Sequence, residues 1–197
     1  MLNRFTKFQI ATAIAVLFHT IGLVGLLWFD KAFFLAATPF NLMLSFALLI
    51  WTQQEKKLHF IIFFTACFLV GVTVEIIGIN TGFLFGDYTY GDVLGYKFQK
   101  VPLLIGINWF IIIYCSGISI HTLLMKAINR VASYTGKTPA TLKALSVIVD
   151  GATLAVFFDW LMEPVAVKLG YWVWNGDGSI PLFNYICWFV VSLLLLT

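Results

Sequence analysis

Three acidic residues stand in this chain where acids are expensive. Glu75 lies near the end of the apolar run Phe60–Ile79, and Asp159 and Glu163 sit four residues apart near the end of another, Leu142–Leu161. A carboxylate at membrane depth costs about 2.5–3.5 kcal/mol on insertion scales, so keeping three implies a use for them. Asp159 and Glu163 fall one helical turn apart, about 6 Å along one face. Two like charges that close in a low dielectric resist ionising together, so one carboxyl can keep its proton and stand as an acid beside a base.

The elements that must hold these groups follow from composition. The chain is 61% hydrophobic and 11% charged, far from the roughly one-quarter charged residues of soluble domains. Its apolar residues come in blocks long enough to cross a hydrocarbon core as helices, which lipid requires because it offers open backbone no partner. Six blocks are predicted: Phe8–Phe29, Ala32–Trp51, Phe60–Ile79, Pro102–Met125, Leu142–Leu161 and Pro181–Leu196. The expected fold is therefore all-α, a polytopic transmembrane bundle of about six helices with an ordered outer loop, in a single membrane domain over residues 1–197. The sixth block runs into Thr197 with no polar tail, which leaves open a continuation of the natural protein.

Basic residues set the orientation, since Lys and Arg favour short cytoplasmic loops. With the N-terminus inside, Arg4, Lys7, Lys56, Lys57, Lys126, Arg130, Lys137 and Lys143 are inner, against Lys31, Lys97, Lys100 and Lys168 outside. The prediction is a multi-pass protein of the cell membrane with a cytoplasmic N-terminus. The net charge of +3 is spent on this asymmetry, and no basic stripe is left for nucleic acid. The first block is too long for a signal-peptide core and has no small-x-small cleavage pattern, so it reads as an uncleaved helix.

Threading the blocks through a bilayer gathers polar residues at one depth. Glu75, Asp159 and Glu163 fall in the outer parts of the third and fifth helices. Asn108, Trp109, Asn184, Tyr185 and Trp188 fall at that level on the fourth and sixth. Two outer connections are rich in Gly and aromatics: Asn80–Val101, with Asp87, Tyr88 and Tyr90, and Tyr171–Ile180, with Trp172 and Trp174. They suit a folded cap, although an interfacial aromatic belt explains single residues equally well. Plainer readings exist for the acids too. Glu163 precedes Pro164, expected to end its helix, and a carboxylate near a helix end can snorkel to water. Asp150, nine residues before Asp159, faces the opposite side. His19 and His121 read as packing or hydrogen-bonding residues without metal-ligand spacing. Cys67, Cys115 and Cys187 read as buried small hydrophobes.

Two blocks of residues carry a resemblance. The first is Glu75-x-x-Gly78-x-x-Thr81-Gly82-x-x-Phe85-Gly86-x-Tyr88-x-Tyr90, followed by Leu94-Gly95, Val101-Pro102 and Asn108-Trp109. The second is Glu163-Pro164-Val165-Ala166, Gly170-Tyr171-Trp172-x-Trp174 and Pro181-x-x-Asn184-Tyr185-x-x-Trp188. Together, over about Gly71 to Phe189, they resemble the membrane carotenoid 1',2'-hydratase family. The resemblance implies addition of water to the terminal double bond of an acyclic carotenoid, giving a tertiary hydroxyl; the residues fit that chemistry without a cofactor, and no metal site is expected. Glu75, Asp159 and Glu163 are then the expected catalytic residues. Glu163 or Asp159 would donate the proton, and Glu75 would orient water or balance a cation. The expected substrate-binding residues are Asn80, Asp87, Tyr88, Tyr90, Asn108, Trp109, Trp172, Trp174, Asn184, Tyr185 and Trp188. The implied partners are the lipid-soluble carotenoid, membrane lipid and other enzymes of carotenoid synthesis. Two rival readings stay open: a carotenoid end-group cyclase, which shares the protonation but excludes water, and a proton-coupled transporter, which needs polar residues at several depths.

Overall fold

The computed structural model describes residues 5–55, 57–135 and 139–197, together with the side chains of all of these except Asn129 and residues 131–135. Arg4, Lys56 and Lys137 of the predicted inner charges lie outside the described residues.

The chain begins with α1 (Lys7–Trp28), whose start is fixed by a reciprocal cap between Thr6 and Gln9. Next come α2 (Lys31–Ala36), α3 (Thr38–Thr52) and α4 (Leu58–Thr81). Three short strands follow, β1 (Tyr88–Tyr90), β2 (Lys97–Phe98) and β3 (Val101–Pro102). The rest is α5 (Leu104–Thr135), α6 (Ala140–Leu169), β4 (Trp172–Trp174) and α7 (Leu182–Leu196). Among the described residues, four helices are long and apolar enough to cross a membrane: α1, α4, α5 over Leu104–Ile128, and α6. The helices α3 and α7 are apolar but have 15 residues each.

The six predicted blocks become seven helices among the described residues. The expected Ala32–Trp51 helix is broken at Ala37, because Pro39 lacks a backbone N–H and fits only a first helical turn. Asp30 caps the short piece before the break through Phe33 N. The opposite error occurs at Pro164, which does not end its helix. Pro164 removes one hydrogen bond from the ladder, and α6 continues to Leu169 before stopping at Gly170, where φ is +78°.

The bundle core is α4, α5, α6 and α7, each packed on its neighbour, with α3 against α5 and α1 against α2 and α3. Small residues allow the closest approach. A Cβ placed on Gly151 would lie 2.9 Å from Leu196 and 3.6 Å from the Cα of Gly117, drawing α5, α6 and α7 together. One layer of this core is aromatic, with Phe46, Phe60, Phe63 and Phe64 packed around Phe110 at ring separations of 5.0–6.1 Å.

Over one end of the bundle lies the expected ordered cap, and its frame is a two-stranded antiparallel ribbon. β1 pairs with β4 in the register Tyr88↔Trp174, Thr89↔Val173 and Tyr90↔Trp172. Since strand side chains alternate faces, the four aromatics point one way, while Thr89 and Val173 are exposed on the other. Asn175 pins one end of the ribbon, donating from its backbone N and from Nδ2 to the backbone O and Oδ1 of Asp87, at 2.9 and 2.7 Å. Gly91 N donates to Tyr171 O at 2.9 Å at the other end. There Gly91 meets the carbonyl of Gly170 so closely that no Cβ fits between them. The Tyr171 hydroxyl is 2.6 Å from Thr38 Oγ1, tying the ribbon to the start of α3.

Candidate active site

The ribbon's aromatic face lies against the two helices that carry the acids, and each strand's pair serves one of them. Tyr88 and Tyr90, two residues apart on β1, both donate their hydroxyls to Glu75 Oε2 of α4, Tyr90 at 2.9 Å. Trp172 and Trp174, two residues apart on β4, both donate Nε1 to Glu163 Oε2 of α6, at 3.0 and 2.9 Å. The tyrosine hydroxyls cannot act as acids here. Burial, and then the adjacent Glu75 carboxylate, push both phenols well above the ordinary tyrosine range, so Tyr88 and Tyr90 remain protonated donors.

Helices supply the remaining partners. Trp109 of α5 donates Nε1 to Glu75 Oε1 at 3.1 Å. Asn184 of α7 uses its one amide nitrogen toward both acids of α6, 2.9 Å from Asp159 Oδ2 and 3.4 Å from Glu163 Oε1. Hydrogen bonds to a charged acceptor contribute about 1.5–3 kcal/mol each, enough together to offset much of the cost of burying Glu75 and Glu163. Asp159 is treated differently. It is 1% exposed, yet its Oδ1 is buried with no hydrogen-bond partner. A native protein seldom leaves a buried polar atom unpartnered without a ligand, a water or a catalytic use for it.

These groups surround a cavity of about 20 Å³, the space of roughly one water molecule. Its lining includes Glu75, Asp159, Glu163, Asn108, Asn184 and the ribbon aromatics, and no Lys, Arg or His among the described residues. Trp109 and Trp188 also line it, with their rings stacked 3.9 Å apart at 13°. The arrangement can hold a water, hold or move a proton at Asp159, and offer π faces and carboxylates to a positive charge. No group of three His, Cys, Asp or Glu side chains among the described residues is arranged to hold a metal ion.

Of the residues expected from sequence, Glu75, Asp159, Glu163, Tyr88, Tyr90, Asn108, Trp109, Trp172, Trp174, Asn184 and Trp188 all line this cavity. Three others do not. Asn80 is exposed and donates to Ile76 O at 2.9 Å, closing its own helix end. Asp87 is spent on Asn175, holding the ribbon. Tyr185 is half-buried on α7 and is not part of the lining. Phe85, Ile105 and Met162 complete the wall. Their side chains carry no chemical signature to find them by, but Phe85 stood inside the Gly-aromatic segment, and its φ of +64° turns the chain into β1.

Comparison with known proteins shows a family. A family model described as carotenoid biosynthesis protein matches residues 32–197. The chain belongs to that carotenoid biosynthesis family. The matched segment includes every residue of the cavity wall, whereas α1 lies before it. The chain is similar to the bisanhydrobacterioruberin hydratase of Haloarcula japonica, at 26% identity over 200 residues. That match covers 94% of this chain and 60% of the relative's length. No solved structure matches the chain.

Proposed function

We propose that this protein is a hydratase that adds water across the terminal 1',2' double bond of an acyclic carotenoid, leaving a tertiary hydroxyl. The observation that carries the reading is the unpartnered Oδ1 of Asp159 in the wall of a cavity with room for one water. Asp159 delivers its proton to the less substituted carbon of the double bond, and the π electrons form the new C–H bond. A tertiary cation is left on the neighbouring carbon. Water then attacks it, and the proton that water sheds returns to the Asp159 carboxylate, so the net change is one added water.

Glu75 and Glu163 serve as fixed negative charges near the cation, because each accepts three side-chain donors and neither must reorganise during the reaction. The stacked indoles of Trp109 and Trp188 add about 0.5–2 kcal/mol of cation–π stabilisation. Asn184 positions Asp159. The similarity to a named hydratase and the carotenoid family both support this reading.

Expression in cells that accumulate an acyclic carotenoid tests it by product mass. A pigment heavier by one water is expected. A pigment of unchanged mass but shorter absorption would instead mean cyclisation, and an unchanged pigment would overturn both.

The indole of Trp109 gives a subtler test. Gly71 of α4 faces it so closely that a Cβ there would lie 2.6 Å from the ring. Gly71→Ala should push Trp109 off both Glu75 and Trp188. Because misplacement by about 1 Å can cost about 10²-fold in rate, turnover should fall by that order while membrane yield stays near wild type.

A further inference from the structure

The cavity that holds the acids, of about 20 Å³, is too small for a polyene chain, so the substrate's length must lie elsewhere. A second and much larger hollow, of about 650 Å³, runs between α1 and α3 on one side and α5 and α6 on the other. That volume falls within the usual range of small-molecule sites. We infer that this groove is the binding site for the polyene chain, and that it delivers the terminal double bond to Asp159 past Met162. The inference rests on the hydratase reading for the identity of the substrate.

Three observations carry it. The first is continuity. Ile105 and Asn108 of the small cavity and Ile112, Cys115 and Ser119 of the groove follow one another along one face of α5. On α6, Phe158 of the groove stands one turn from Met162 of the cavity, about 6 Å.

The second is chemistry. The lining is predominantly apolar, and several of its polar groups are already satisfied within their own helices. Ser45 Oγ donates to Asn41 O at 2.9 Å, Thr52 Oγ1 donates to Leu48 O at 2.8 Å, and His19 Nδ1 lies 2.8 Å from Ala15 O. No Lys, Arg, Asp or Glu lines the groove among the described residues. Such a wall asks for a ligand that is hydrocarbon along its length. It also corrects one expectation: Cys115 is not packed in the core but exposed to this hollow.

The third is the barrier. Met162 of α6 and Asn108 of α5 lie in the cavity wall, each one turn from a groove residue, Phe158 and Ile112, and an unbranched thioether moves aside at little cost. The end group enters when Met162 yields, which brings the double bond to Asp159.

The test is binding of lycopene to purified protein in lipid nanodiscs, read by induced circular dichroism in the visible band and by product mass. Wild type and Asp159→Asn should both give the induced signal, with only wild type forming product. Cys115→Trp and Ser119→Trp, which fill the groove at two heights, should weaken the induced signal at least tenfold. Ile118→Trp, exposed on α5 outside this lining, should match wild type. Comparable thermal stability of the variants separates filling from misfolding. If both filling variants bind and hydrate lycopene as wild type does, the groove holds lipid and the inference is overturned. If wild type binds lycopene, loses it on filling, but returns it unhydrated, the groove stands and the hydratase reading falls.

Discussion

Replacing Asp159 by Asn is expected to abolish product formation while leaving a folded protein in the membrane. An amide is close to the carboxyl in size and can still accept from Asn184 Nδ2 through its oxygen, 2.9 Å away in the native site. The buried environment therefore survives, but the group that carries the reacting proton is gone. General acid catalysis by a placed side chain contributes about 10²–10⁴-fold, and here the same group takes the proton back from water. The expected loss is at the upper end of that range, measured as pigment hydrated per unit of protein after matching membrane yield. Asp150, exposed on the same helix, is the control: Asp150→Asn should leave both rate and yield unchanged.

Glu75→Gln is expected to cost nearly as much activity and, in addition, some stability. All three partners of Glu75 are donors: Tyr88 and Tyr90 to one oxygen, Trp109 to the other. A glutamine can present only one oxygen, so its NH₂ must face either the two hydroxyls or the indole N–H. Facing the hydroxyls, the NH₂ can donate to their oxygens but takes the acceptor from their O–H groups, and facing the indole it opposes a pure donor; a buried donor left without an acceptor costs about 1–3 kcal/mol. Loss of a fixed charge beside the developing cation lowers the rate by about 10²–10³-fold, as for other preorganised electrostatic groups. The check is a rate comparison together with a thermal unfolding curve in detergent. Wild-type activity with lowered stability would confine Glu75 to fastening the ribbon.

Much of this architecture was legible from residue order, and the exceptions have physical causes. The long apolar runs read directly as helices because lipid permits little else. Pro164 stays within α6 while the Ala32–Trp51 run breaks just before Pro39, because residue order shows the missing N–H but not whether the local packing tolerates it. The carboxylates of α4 and α6 stood out, since acids in apolar runs are costly. The ribbon was visible only as Tyr-x-Tyr and Trp-x-Trp, two fragments far apart in the chain. Their period of two is a strand signal, but three residues are too few to fix a partner. Once paired, they explain why the aromatics come in twos: each pair meets one acid. Asn80 and Asp87 are polar residues of the outer loop. Their groups went instead to backbone partners and the ribbon end, a competing demand that residue type alone does not reveal. Met162 and the groove left no trace in sequence because apolar side chains lining a hollow look the same as those packed in a core.

The central claim is that a buried carboxyl puts a proton on carbon. Its most direct measurement is the reaction run in D₂O, with the product returned to ordinary water so that the hydroxyl exchanges. Protonation by the site predicts one deuterium retained on carbon, adjacent to the new tertiary alcohol. A hydroxylated product formed without carbon-bound deuterium would contradict the account.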